Sequence, residues 1–102
     1  MSDIKNIGEW LNKPIENIEF YYSIEPINMF ITTIKEMEST YDEFPREMSR
    51  TQKIVNLIKV GKKPKAIFIE LNDPDKFIME GRHRIVAFHW LGITEVPVLY
   101  VK

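Results

Sequence analysis

Residues 80–91 read Glu-Gly-Arg-His-Arg-Ile-Val-Ala-Phe-His-Trp-Leu, and this stretch organises the rest of the chain. The apolar residues Phe77, Ile78 and Met79 before it predict a strand, Gly81 predicts a sharp turn, and the residues that follow have helical spacing. The first N–H groups of a helix have no partner within the helix and lie at the positive end of its dipole. A strand, a glycine turn and a helix with a cationic first turn therefore predict a site for phosphate.

The first turn of this predicted helix carries Arg82, His83 and Arg84. Cations at a helix N-terminus oppose the dipole, so this choice of residues reduces the stability of the helix. A local choice that reduces stability points to a function. Gly81, Arg82, His83 and Arg84 are therefore candidate phosphate-binding residues. The structural alternatives are a turn glycine at Gly81 and a hydrogen bond from His83 to a loop carbonyl group.

Glu80 stands directly before the turn, where a carboxylate can bind Mg²⁺ or act as a general base. Glu80 and His83 are the candidate catalytic residues. The structural alternatives are that Glu80 caps the helix, and that Arg84 forms a salt bridge with Glu80 or Glu95. His83 and His89 are six residues apart on one helix and point in different directions, so they cannot share a metal ion. The sequence predicts no metal site.

The 102 residues suffice for one domain, which we expect to span residues 1–102. The chain has no cysteine, which removes disulfides and thiolate chemistry. It also has no signal-peptide pattern and no apolar run near the ~18–20 residues of a membrane helix, so we expect a cytoplasmic protein without membrane contact.

The net charge of −1 argues against bulk nucleic-acid binding, but the charge is unevenly distributed. Residues 1–45 hold three Lys and nine acidic residues, a balance of −6. Residues 46–102 hold eleven Lys and Arg and six acidic residues, a balance of +5. The glycine-led helix thus lies in the cationic half, which either indicates an anionic partner or reflects solvated surface.

The first 45 residues are predicted to hold a short strand and the longest helix. Alternation over residues 17–22 predicts the strand. Apolar residues at helical spacing over residues 23–42 predict the helix, with Ser23 as its N-cap and Pro26 in its first turn. Before the strand, one helical turn ending at Pro14 is predicted from the spacing of Ile7, Trp10 and Leu11.

Ser49-Arg50-Thr51-Gln52 has the pattern of a capping box and predicts the start of a second helix that ends near Gly61. Ile54, Leu57 and Ile58 are expected to face inward. Arg50 and Lys53 are three residues apart and would share a face near this helix start.

The last 40 residues predict a small sheet. A loop over 62–65 leads to an apolar strand over 66–71, expected at a central, doubly covered position. A turn over 72–75 returns the chain as the hairpin partner over 76–80. After Gly92, a strand over 95–101 contains Pro97, which predicts an edge strand or a strand start. The predicted fold class is α+β, a small mixed β-sheet with helices packed on it.

From about residue 54 to the C-terminus, the chain resembles the ParB/sulfiredoxin superfamily. The resemblance rests on Ile58-Lys59-Val60-Gly61, Pro64-Lys65-Ala66-Ile67, Glu80-Gly81-Arg82-His83-Arg84, Gly92 and Val96-Pro97-Val98. In that superfamily the Gly-x-His-Arg segment begins a helix and holds nucleotide phosphates. The resemblance implies phosphate contacts from Gly81, His83 and Arg84, together with a contribution from Arg50 and Lys53 in the preceding helix.

The chain departs from the superfamily pattern at Arg82, which occupies the position of the reactive cysteine of sulfiredoxins. Reduction of a sulfinic acid is therefore excluded. The partition proteins continue into a helix-turn-helix region that these 102 residues do not contain, so we expect no centromere clamp. What the resemblance implies is the shared nucleoside-phosphate site.

The predicted function is therefore binding of a nucleoside triphosphate, ATP or CTP, with Mg²⁺ arriving with the nucleotide. If the protein is an enzyme, the reaction is phosphoryl transfer or nucleotide hydrolysis. One alternative is a DNA-associated ParB-like module with a nuclease or partition-related role. The other is a protein-interaction domain with a degenerate nucleotide site, in which the acidic first half contacts a protein partner or a second copy of the chain.

Overall fold

The computed structural model describes residues 14–102, which form a four-stranded mixed sheet with three α-helices on one of its faces. The strands are β1 (Phe20–Pro26), β2 (Ile67–Glu70), β3 (Ile78–Glu80) and β4 (Glu95–Val101). The α-helices are α1 (Ile31–Ser39), α2 (Pro45–Lys59) and α3 (Arg82–Trp90), and two short 3₁₀ segments cover Ile15–Asn17 and Ile27–Phe30. The predicted α+β class is confirmed. The helical turn predicted before Pro14 lies outside the described residues.

The strand order in the sheet is β1-β4-β2-β3. β4 pairs with β2 in parallel, whereas β1 pairs with β4 and β2 pairs with β3 in antiparallel fashion. The predicted hairpin of β2 and β3 is confirmed. Ile67, Phe68 and Ile69 of β2 are buried, as expected for a central strand covered on both faces.

The main core lies between the sheet and the helices. α3 packs against both α1 and α2, which explains why four consecutive residues, 85–88, are all buried and why the helix has no polar stripe along this stretch. The cluster consists of Phe30, Ile34, Ile67, Ile69, Ile85, Phe88, Val96 and Val98. A smaller cluster of Ile18, Phe68 and Val101 lies on the opposite face of the sheet. This packing fixes the position of the start of α3.

The helix predicted over residues 23–42 is wrong in its first part. Residues 23–26 belong to β1, and α1 begins only at Ile31 after the 3₁₀ segment. Ser23 is therefore not an N-cap: its Oγ lies 3.2 Å from a carboxylate oxygen of Glu25 within the strand. Pairing of β1 with β4 over seven residues overrides the helical spacing, because the backbone hydrogen bonds of the sheet outweigh a weak local preference.

The capping box predicted at Ser49 is also wrong. α2 begins at Pro45, which suits the first turn of a helix, and Ser49 is exposed within the helix. The inward-facing set changes accordingly: Leu57 is 42% exposed, whereas Thr51 and Val55 are buried. The Thr51 hydroxyl is within 2.6 Å of the Tyr41 hydroxyl, so its polar atom is satisfied by a hydrogen bond.

Pro97 does not mark an edge strand, because β4 lies between β1 and β2. The hydrogen-bond pattern shows why proline is tolerated. Glu19 and Lys102 exchange two backbone hydrogen bonds of 3.0 Å, and the N–H of Ile27 donates to Thr94 at 2.9 Å. In the same antiparallel register, Ile24 opposite Pro97 is a non-hydrogen-bonded pair. The nitrogen of Pro97 therefore faces β2. The pairing of β2 with β4 begins only at Val98, so the N–H group that proline lacks would have had no partner in the sheet.

Within residues 14–102, no helix is long and apolar enough to cross a membrane.

Candidate phosphate-binding site

The start of α3 depends on Gly81 for two reasons. Its φ of +114° lies in the left-handed region that side chains disfavour. A Cβ atom at this position would lie 2.7 Å from Cδ1 and 3.4 Å from Cα of the buried Ile67. Because glycine has no side chain, no side-chain oxygen caps the first N–H groups of α3. Gly81 therefore leaves these N–H groups without the side-chain acceptor that a Ser, Thr, Asp or Asn cap would provide.

The three cationic residues of the first turn point in different directions, since consecutive residues of a helix differ by about 100°. Arg82 is exposed, and its guanidinium carbon lies 5.9 Å from the ring centroid of Phe77. His83 contacts α2 through Glu47. Arg84 contacts the beginning of β2 through the carbonyl of Ala66. The structure therefore does not bring the three side chains together on one phosphate.

Glu47 is a site residue that the sequence reading missed. Nε2 of His83 forms a short hydrogen bond with Oε2 of Glu47, although 36 residues separate the two. This bond lowers the pKa of the Glu47 carboxyl group; the charge of Arg50 acts in the same direction, and burial opposes it. Recognising Pro45 as the first helical residue would have placed Glu47 in the first turn of α2. No sequence signal pairs it with His83.

Arg84 is largely buried, with a side chain that is 13% exposed. Its Nη1 donates to the carbonyl of Ala66 at 2.5 Å, and its Nη2 lies 3.4 Å from Oε1 of Glu80. The salt bridge considered in the sequence reading is therefore with Glu80. These contacts join the starts of β2 and α3, which gives Arg84 a structural role. They also hold Glu80, the other candidate catalytic residue, beside a cation.

Arg82 lies in the walls of two neighbouring cavities between α1 and the start of α3. One has a volume of about 420 Å³ and the other about 360 Å³, and they share Met37, Thr40 and Arg82. The first also contains Thr33, Glu36, Asp73, Asp75, Lys76, Phe77 and Ile78. The second also contains Phe44, Glu47 and His83. We call the two cavities together the α1–α3 cleft.

Arg50 and Lys53 do not line the α1–α3 cleft. Both are exposed in the middle of α2, because that helix begins at Pro45, earlier than predicted. The prediction that Arg50 and Lys53 lie near the start of this helix is therefore wrong. Of the candidate phosphate-binding residues, Arg82 and His83 line the cleft, Gly81 forms the turn above it, and Arg84 faces another side of α3.

The described part of the chain, residues 14–102, contains no cluster of three His, Asp or Glu residues suited to a metal ion. Asp73 instead accepts a hydrogen bond of 2.8 Å from the backbone N–H of Asp75, which makes both residues part of the β2–β3 turn. Their carboxylates and that of Glu36 lie in the cleft wall without forming a ligand set. A metal ion would have to bring further oxygen ligands with it.

The fold and the site together define an α+β protein with an uncapped, glycine-led helix start beside a cleft. No protein-family model matches the chain, and no curated protein or solved structure shows significant similarity to it. Membership of the ParB/sulfiredoxin superfamily therefore stays a prediction.

Proposed function

We propose that the protein binds a nucleoside triphosphate, ATP or CTP, in the α1–α3 cleft, with its phosphates at the start of α3. One observation supports this most strongly. Arg82 is exposed in the walls of both cavities, directly after a glycine that leaves the first N–H groups of α3 without a side-chain cap. Backbone N–H groups at a helix start and an arginine fork are complementary to phosphate oxygens.

The rest of the cleft suits the rest of a nucleotide. Phe44 and Phe77, at its two ends, are both about half exposed and offer ring faces for a base. Thr33 and Thr40 contribute hydroxyl groups. Mg²⁺ would arrive with the triphosphate, whose oxygens would supply its ligands together with water. The cytoplasm, which is the location predicted from the sequence, contains both nucleoside triphosphates and Mg²⁺.

If the protein is an enzyme, the proposed reaction is phosphoryl transfer or nucleotide hydrolysis, in which positioning and charge stabilisation dominate. Arg82 and the helix N–H groups would stabilise charge on the phosphates. His83 is the better placed of the two candidate catalytic residues, because it lines the cleft and Glu47 orients its ring. Glu80 pairs with Arg84 and is not in the cleft wall.

The test is thermal unfolding with ATP, CTP or GTP, each with and without Mg²⁺. A ligand at 100 times its dissociation constant adds about 2.7 kcal/mol of stability. At roughly 4–8 °C per kcal/mol for a domain of this size, this corresponds to a shift of about 10–20 °C. We expect one nucleotide to produce such a shift in the wild type and in Lys59→Ala, but not in Arg82→Ala. Lys59 is an exposed cation at the end of α2 and serves as the matched control.

Two results would contradict the proposal. One is the absence of a shift with every nucleotide. The other is an equal shift in wild type, Lys59→Ala and Arg82→Ala, which would place the ligand elsewhere. Arg50→Ala and Lys53→Ala complete the series: we expect both to bind like the wild type, since neither residue lines the cleft.

A second candidate, the DNA-associated module, is favoured by a basic cavity of about 320 Å³ on another side of α3. Its apolar floor of Ile54, Leu57, Ile58 and Pro64 is surrounded by Lys62, Lys63, Lys65 and Arg84. A protein that neutralises many phosphates loses affinity steeply as salt rises, whereas a nucleotide pocket with few phosphate contacts loses much less. Binding of duplex DNA measured across a salt series therefore distinguishes the two candidates.

A further inference from the structure

The sheet has two outer strands, and they differ in how their outer edges are protected. β3 has only three residues, and its register with β2 shifts between Phe68 and Ile69. Short length and irregular pairing are two ways in which proteins blunt a sheet edge. β1 has seven residues and pairs with β4 in one unbroken register. Within residues 14–102, no further strand pairs with the other side of β1.

The direction of the backbone groups of β1 follows from its pairing with β4. Glu19 and Ile27 form hydrogen bonds towards the β4 side, to Lys102 and Thr94. In an antiparallel ladder these inward-facing residues alternate with outward-facing ones. The N–H and C=O groups of Phe20, Tyr22 and Ile24 therefore point away from the sheet. Together they present a regular row of donors and acceptors for one more strand.

Most side chains of β1 are large, apolar or aromatic, and exposed, whereas Ser23 and Glu25 are polar and partly exposed. Tyr22 is 66% exposed, and Tyr21 and Ile24 are each 47% exposed. No lysine or arginine lies within β1, and its proline, Pro26, stands at its last position. An exposed, regular edge with large apolar side chains is suited to pairing with another strand.

We propose that β1 pairs with β1 of a second copy of this chain, antiparallel and centred on Ser23, so that two four-stranded sheets form one continuous sheet. Ser23 is the midpoint of β1, and this register overlaps all seven residues. A two-fold axis through Ser23 and normal to the sheet keeps the helices of both copies on the same face. The proposal is independent of the nucleotide site, because neither cavity of the α1–α3 cleft contains a β1 residue.

The cross-strand pairs in this register are complementary. Tyr22 of each copy lies opposite Ile24 of the other, a pairing of an aromatic with a β-branched side chain. Tyr21 lies opposite Glu25 of the second copy. A register centred on Tyr22 would instead place Glu19 opposite Glu25, and like charges directly opposite each other destabilise a sheet. The charges therefore disfavour the register centred on Tyr22, and the full overlap of the seven residues favours the register centred on Ser23.

The first experiment measures the mass of the protein in solution by light scattering after size-exclusion chromatography, over a concentration series. The chain has a mass of 12.1 kDa, so we expect a species of twice that mass. Tyr22→Lys places a charge on the proposed interface and is expected to leave only monomer. Val60→Lys makes a similar change at a 74% exposed residue at the end of α2 and is expected to leave the dimer intact. Circular dichroism and thermal unfolding establish that both variants fold.

A monomer at every concentration would overturn the proposal, whether β1 is then solvent-exposed or covered within one chain. Equal dimerisation of the wild type and Tyr22→Lys would also overturn it, because the interface would lie elsewhere.

The second experiment tests the register and uses the absence of cysteine from the chain. Ser23→Cys places one thiol of each copy at the axis, where opposite Cα atoms of a non-hydrogen-bonded pair are about 4.5 Å apart and can form a disulfide. Ser49→Cys is the matched control, because Ser49 is exposed on α2. We expect mild oxidation to convert Ser23→Cys, but not Ser49→Cys, to a covalent dimer. Equal cross-linking of the two variants, or none in either, would overturn the register centred on Ser23.

Discussion

Two arginines in the first turn of α3 illustrate how differently one sequence motif is used on two sides of a helix. Arg84 is largely buried and bonds the carbonyl of Ala66 and the carboxylate of Glu80. Arg82 is exposed in the α1–α3 cleft, near the ring of Phe77. The sequence predicts phosphate binding for both residues alike. The comparison indicates that Arg84 contributes mainly to stability and that Arg82 remains available for a ligand.

Between the two arginines, His83 has an intermediate position. It lines the cleft, but its Nε2 is engaged by Glu47 of α2. The first turn of α3 is therefore held from two sides, by Glu47 through His83 and by β2 through Arg84. What remains exposed to a ligand is a narrow part of the turn, consisting of the N–H groups after Gly81 and the side chain of Arg82. Five predictions test which residues of this turn stabilise the fold and which remain exposed, starting with Gly81.

The largest effect is expected at Gly81. Gly81→Ala adds a Cβ atom in a left-handed conformation and against buried Ile67, and we expect it to lower the free energy of unfolding by about 2–4 kcal/mol. Gly92→Ala is the control, because φ of Gly92 is also positive, at +73°, but a Cβ atom there would have no neighbour within 4 Å. We expect this variant to lower the free energy of unfolding by only about 1–2 kcal/mol. Urea denaturation measures both.

The contact with Ile67 can be tested separately by combining Gly81→Ala with Ile67→Val, which removes the Cδ1 atom that the new Cβ would meet. Ile67→Val alone should cost about 0.5–1.5 kcal/mol. We expect the double variant to be more stable than the sum of the two single effects predicts. Additive effects would mean that the close approach to Ile67 is not a constraint on residue 81.

The next effect is expected on the structural side of the turn. Arg84→Met keeps an apolar stem but removes the hydrogen bond to Ala66 and the ion pair with Glu80, and we expect a loss of about 1.5–3 kcal/mol in the free energy of unfolding. Urea denaturation again provides the measurement. A loss no larger than that of Arg82→Met would contradict the assignment of Arg84 to stability.

The Glu47–His83 pair should make stability depend on acidic pH. The hydrogen bond from His83 holds the pKa of Glu47 below its ordinary value of 4.5, so the unfolded chain takes up this proton first. The contribution is fully present above pH 4.5 and is lost as the pH falls through the lower pKa of the folded state. We therefore expect the melting-temperature difference between wild type and Glu47→Gln to shrink as the pH falls below 4.5. A difference that stays constant down to strongly acidic pH would refute the pairing.

The smallest stability effect is expected at Arg82. Arg82→Met should cost no more than about 0.5–1 kcal/mol, the usual range for an exposed contact between a cation and an aromatic ring. In a Phe77→Leu background even this loss should disappear, and urea denaturation of the four combinations measures it. A larger loss that persists without the Phe77 ring would mean that Arg82, like Arg84, holds the fold together.

Periodicity and turn chemistry in the sequence were sufficient to predict the elements between residues 66 and 92. The apolar run of β2, the turn at Asp73, the hairpin with β3 and the helix between Gly81 and Gly92 were all predicted, because each carries its signal within a few residues. The first half was predicted less well. Ser23 and Pro26 were interpreted as the cap and first turn of a helix, but residues 23–26 belong to a strand, because β4, some 70 residues later in the chain, supplies their hydrogen-bond partners.

In the candidate site, too, features set by adjacent residues were predictable, whereas features set by distant residues were not. The glycine turn that leads into a helix with three cationic residues was predictable from the sequence, since these are properties of adjacent residues. Only the tertiary structure decided which cation is exposed, because that depends on neighbours distant in sequence: Glu47 beside His83, Ala66 beside Arg84, and the cleft of α1 beside Arg82. A helix turns by about 100° per residue, so three consecutive side chains meet three different environments. Those environments are fixed only when the helices pack on the sheet.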